Sequence, residues 1–73
     1  MAAQQIQQLI KMANQIALNT GAQTHPESSV QKTAEHMRKF WTRAMREQLH
    51  GYWRAGGDGL EAVVTRALEQ LAL

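Results

Sequence analysis

The chain has no cysteine among its 73 residues, so no disulfide can staple it and no thiolate can act as nucleophile or metal ligand. It has a single proline and few aromatics, namely two tryptophans, one tyrosine and one phenylalanine. Its longest apolar runs are a few residues, which excludes a membrane-spanning helix and predicts no membrane partner. Charge of one sign is also scarce. Eight basic residues against six acidic ones leave a net +2, too little for an obligate nucleic-acid or membrane binder. The opening Met1-Ala-Ala-Gln-Gln5 has neither a basic nor an apolar leader region, so no signal peptide is expected and the cytoplasm is the expected location. Neither an internal repeat nor a low-complexity tract occurs. A chain of this length holds one domain, residues 1–73, and hides only about 60% of its extended surface on folding. Without a disulfide, such a domain leans on a metal or on a partner.

What is present is helical periodicity. Apolar residues make up 44% of the chain, an ordinary globular share. Ile6, Leu9, Ile10, Ala13, Ile16 and Ala17 follow the i, i+3, i+4, i+7 rule, and Gly21 supplies a stop. Pro26 suits a first helical position and Glu27 complements the positive helix start. Val30, Ala34, Met37 and either Phe40 or Trp41 make a second stripe; Ser28 and Ser29, in its opening turn, suit helix initiation. Thr42 can cap a third helix, or helices two and three run on with a kink. Met45, Leu49, Tyr52 and Trp53 form the third stripe, stopped by Gly56-Gly57. Asp58, three residues before Glu61, reads as an approximate capping box for a last helix carrying Leu60, Val63, Val64, Ala67, Leu68 and Leu71. No run alternates with period two. The expectation is an all-α fold, a small bundle of four short helices over residues 3–20, 26–41, 43–55 and 59–72.

The chemistry-bearing residues do not assemble into a catalytic or metal set. His25, His36 and His50 are too far apart in sequence to share a helical turn, and zinc favours ligand pairs at short spacing. Glu47 and His50 make one Glu-x-x-His, whereas a di-iron bundle needs two such pairs and two further carboxylates. Glu35 and His36 are adjacent, so they point about 100° apart on a helix and cannot act as a base and its orienter. Gly56-Gly57-Asp58-Gly59 precedes a helix, a place for phosphate, but Asp58 would repel the anion and the P-loop lysine is missing. The chain is therefore expected to be neither an enzyme nor a metal protein.

A docking surface is the strongest functional signal. Residues 32–54 hold six basic residues against two acidic ones, a local +4, while the rest of the chain carries −2. The run His36-Met-Arg-Lys-Phe-Trp-Thr-Arg-Ala-Met-Arg46 mixes arginine, methionine and large aromatics, types enriched at protein interfaces. Trp41, Tyr52 and Trp53 ask for more burial than four short helices supply, so at least one should stay exposed. The rival reading of the same basic run is a small helical nucleic-acid-binding regulator. The glycine-bearing turn of a helix-turn-helix is missing at Thr42, which weighs against it.

Three stretches carry a family likeness: Lys-Met-Ala-Asn-Gln-Ile-Ala at 11–17; His36 with Phe40-Trp41 and Met45-Arg46; and Gly56-Gly57-Asp58-Gly59-Leu60 followed by Ala-Leu-Glu-Gln-Leu at 67–71. In this order the chain resembles the delta subunits of NAD-dependent, molybdenum-containing formate dehydrogenases, over roughly residues 5–71. It departs from that pattern at Thr42-Arg43-Ala44, where the family tends to carry Asp-Pro, and at Leu18-Asn19, where aromatics are usual. The resemblance implies an accessory subunit assisting assembly, maturation or stability of the enzyme. Molybdopterin guanine dinucleotide, iron–sulfur and flavin groups would belong to larger subunits, and none to this chain. The expected contact residues are His36, Arg38, Phe40, Trp41, Arg43, Met45, Arg46 and Trp53, with Trp41 and Trp53 as apolar anchors. Arg38, Arg43 and Arg46 would steer towards an acidic larger subunit, or towards the phosphates of a molybdopterin guanine dinucleotide being delivered. Self-association stays open at this level.

Overall fold

Each apolar stripe becomes a helix, and the helices end where the backbone chemistry dictates. The computed structural model describes the backbone of residues 2–71 and the side chains of residues 5–71. It has four helices, α1 (Ala2–Asn19), α2 (Pro26–Phe40), α3 (Arg43–Arg54) and α4 (Ala62–Gln70), with no strand among the described residues. Gly21, at φ +96°, closes α1. Its N–H bonds the Leu18 carbonyl at 3.2 Å and the Ala22 N–H reaches the Ala17 carbonyl at 3.0 Å, the paired closure that glycine makes cheap. Pro26 opens α2 with Glu27 in the first turn.

The join between α2 and α3 is a true break rather than a kink. Trp41 and Thr42 both have extended backbones, with ψ of 144° and 161°. The Thr42 hydroxyl then accepts from the Met45 N–H at 3.1 Å, capping α3. Gly56 and Gly57 end that helix, their N–H groups bonding the Trp53 and Tyr52 carbonyls, each at 3.0 Å.

The last helix starts later than the 59 expected from sequence. Gly57 and Gly59 have φ of +68° and +87°, which keeps the chain out of helical space up to that point. Asp58 does not cap α4; its carbonyl instead accepts from the Tyr52 hydroxyl at 2.6 Å. Glu61 is the N-cap residue, without a side-chain cap bond. The cap is imported from α1. The Asn14 Oδ1 accepts from the Glu61 N–H at 3.0 Å, and its Nδ2 donates to the Gly59 carbonyl at 2.9 Å. The expected end of α4 at 72 lies outside the described residues.

Packing follows the stripes. α2 and α4 make the most extensive contact, α1 lies against all three other helices, and α2 and α3 touch least. Met37, Leu49, Leu68, Val30 and Val64 are fully buried. Each contributes about 1.5–3 kcal/mol by leaving water. Ala13, Ala17, Ala34 and Ala67 are also buried, and such short side chains let helix axes approach closely. Ser29 was expected to serve the start of α2; it is instead wholly buried against α1. Its hydroxyl donates to the Ala17 carbonyl at 3.1 Å and meets the Thr20 hydroxyl at 2.7 Å. The Thr33 hydroxyl lies 3.2 Å from that of Thr20. Buried hydroxyls need partners, and this cluster provides them while fixing the register of α1 on α2.

A candidate docking surface on helices two and three

The break at residues 41–42 decides which aromatic faces solvent. Phe40 is the last residue of α2 and stays outside, 71% exposed. Trp41, on extended backbone one residue later, turns its indole into the core and is only 5% exposed. The expectation that Trp41 is a surface anchor is thereby corrected: in this fold its ring is covered by the chain itself.

The remaining candidates run from the α2–α3 corner along α3, whose twelve residues span about 18 Å. At the α2–α3 corner, the His36 ring meets that of Phe40 at a 45° tilt, with centroids 4.8 Å apart. These residues are i, i+4 neighbours on one flank of α2, the spacing that brings side chains together. Arg38 is exposed on the same helix. Arg43 opens α3 and is tied by its Nε to Glu47 Oε2 at 2.9 Å. That pair is open to water and adds little stability. Met45 is half-buried, packed against the core, and so supports the corner from below.

The other candidates, Arg46 and Trp53, follow along α3. Trp53 is half-buried and held from several sides. His50 meets it edge-on at 5.4 Å, and the Arg54 guanidinium stands 5.8 Å from the ring centre. Gly57 lies so close that a Cβ there would sit 3.1 Å from Trp53 Cδ1. Arg46, two turns before Trp53, is half-buried; its Nε is shielded from solvent and finds no acceptor among the described residues. His50, Arg54 and Gly57 are not among the contact residues expected from sequence. The i, i+3 spacing of His50 and Trp53 was a usable signal for the first.

Beyond this surface the chemistry is sparse. No group of three or more His, Cys, Asp or Glu side chains comes together among the described residues. Glu47 of the lone Glu-x-x-His is engaged by Arg43. At the glycine loop the Glu61 N–H, an amide a phosphate would use, is taken by Asn14. An open depression of about 710 Å³ runs beside α1, with Met12, Ile16, Leu18, Ala22, His36 and Trp41 among its walls. No helix among the described residues is long and apolar enough to cross a membrane.

Neither a curated protein nor a solved structure matches the chain. A family model does, described as NADH-dependent formate dehydrogenase delta subunit FdsD, over residues 8–68. That span contains α2 and α3 entire, the glycine loop, and Asn14 with the loop it holds. The chain belongs to the family of NADH-dependent formate dehydrogenase delta subunits.

Proposed function

We propose that this chain is a non-catalytic accessory subunit that docks on a larger formate dehydrogenase subunit in the cytoplasm and assists assembly, maturation or stability of the molybdenum enzyme. Membership of the delta-subunit family carries this reading. The surface supports it: a basic α2–α3 region displays an exposed phenylalanine at one end and a framed, half-buried tryptophan at the other. Aromatic and arginine side chains grouped in this way are those that dominate binding energy at protein interfaces. In this reading the redox groups (molybdopterin guanine dinucleotide, iron–sulfur and flavin) reside in the larger subunits. This chain acts on them only through the protein that holds them. The docking residues are His36, Arg38, Phe40, Arg43, Arg46 and Trp53, with Met45 supporting them and Trp41 withdrawn into the core.

The test is co-expression of the tagged chain with the larger formate dehydrogenase subunits encoded in the same genome. The expected outcome is co-purification, and a fall in active enzyme when the chain is omitted. Enzyme of unchanged yield, cofactor content and formate oxidation without the chain, together with no co-purification, overturns the proposal. Charge reversal at Arg38 and Arg43 is expected to slow association and to flatten its loss with added salt, since the attraction that salt screens is gone.

A further inference from the structure

Among the five arginines of the chain, four have visible occupations or lie free in water. Arg43 pairs with Glu47 and Arg66 reaches Glu27 at 3.1 Å across the α2–α4 contact. Arg54 stands over Trp53, and Arg38 is exposed. Arg46 differs. It is half-buried and its Nε is shut off from water, yet the side chain has no hydrogen-bond or ion-pair partner among the described residues. A shielded donor without an acceptor is uncommon in folded chains and costs stability where it occurs. The arrangement has a counterpart benefit for binding. A guanidinium on a half-buried side chain with a shielded Nε has less rotamer freedom to lose when an acceptor reaches its outer edge.

The same flank of α3 holds the second half of the grip. Trp53 lies seven residues beyond Arg46, two turns along one side of the helix, about 10 Å away along the axis. Gly57, His50 and Arg54 hold its indole in place while part of the ring stays open. A pre-set cation and a pre-set apolar face at fixed separation form a compact hot spot. From residue 43 to 54 three arginines face one glutamate, and that glutamate is already engaged. Charge complementarity therefore selects an acidic occupant.

We propose that Arg46 and Trp53 form the anchoring point of the docking surface: the free guanidinium edge of Arg46 takes a carboxylate from an acidic patch on a protein subunit, while the Trp53 indole covers an apolar side chain beside it. This rests on the docking reading above and names the chemistry of the partner. Arg38 and Arg43, both exposed, contribute to encounter; Arg46 and Trp53 set how long the complex lasts.

The experiment measures association and dissociation of the full-length chain with the co-expressed larger formate dehydrogenase subunits. Arg46→Met keeps a long apolar side chain and removes the guanidinium. Arg46→Lys keeps the charge and removes the planar fork. Arg38→Met serves as the exposed comparison, and circular dichroism shows that each variant is folded. Arg46→Met is expected to weaken binding at least about tenfold through faster dissociation, with Arg46→Lys recovering part of the loss. Arg38→Met should stay within about threefold, acting on association. If wild-type chain binds and folded Arg46→Met binds as tightly, the anchor is refuted while the docking reading survives. If wild type does not bind the subunits at all, the docking reading itself has failed. A mixed-sequence DNA duplex is the second probe. Binding to it near 0.15 M salt that is lost in Arg46→Met assigns the arginine to phosphate and overturns the carboxylate assignment.

Discussion

Asn14 makes the side-chain hydrogen bonds that span the most sequence among the described residues. Its amide donates to Gly59 and accepts from Glu61, so one side chain on α1 fixes a loop 45 and 47 residues away and supplies the cap α4 lacks. Asn14→Ala is expected to cost about 1–3 kcal/mol, combining two lost hydrogen bonds with a lost cap. Asp58→Ala should change stability by less than about 0.5 kcal/mol, because only the Asp58 backbone is used. Thermal unfolding of the two variants checks this, and a larger loss at Asp58 would restore the local capping box. Local signals of this kind were legible where both partners lie within a few residues: Gly21 as a stop, Pro26 as a start, Thr42 as a cap. The Asn14 bridge was not, because no periodicity encodes a contact between a helix flank and a loop so remote. Nor could Phe40 be told from Trp41. Both fit the stripe, and the choice depends on the backbone leaving the helix between them.

At the scale of the element, α3 stands apart from its neighbours. Leu49 is its one buried residue, while Met45, Tyr52 and Trp53 are half-covered. The amphipathic stripe was readable from spacing, but spacing does not say how many sides of a helix find partners. Gly51 lies on the outer face, with nothing within 4 Å of where a Cβ would stand and no positive φ to require glycine. A glycine inside a helix costs about 1 kcal/mol relative to alanine through backbone entropy. Gly51→Ala is therefore expected to stabilise the isolated chain by about 0.5–1 kcal/mol, read as a rise in urea midpoint with an unchanged slope. An unchanged or lowered midpoint would mean that α3 is not helical in the free chain at this position. The same variant separates folding from docking: if it firms the helix while weakening capture of the larger subunits, the outer face of α3 is also in contact.

Across the whole molecule, stability is unevenly spread, and the uneven part coincides with the surface assigned to the partner. α2 and α4 share the widest contact, and the hydroxyls of Ser29 and Thr33 lock α2 to α1. α3 touches α2 least, and its best-anchored end hangs on Tyr52 and the glycine loop. A chain of this size has few kilocalories to spare, since net stability runs near 0.05–0.15 kcal/mol per residue, about 4–11 in total. The least-packed helix should then open without global unfolding. Hydrogen exchange on the free chain is expected to show α3 amides exchanging at least about tenfold faster than those at the centres of α2 and α4. Addition of the larger formate dehydrogenase subunits should slow α3 most, because binding stabilises the state it selects. Uniform exchange across the four helices would show a single cooperative unit and remove the physical reason for reserving α3 as the docking element. Protection gained on α1 instead, with α3 unchanged, would move the interface to the depression beside Met12 and Ile16.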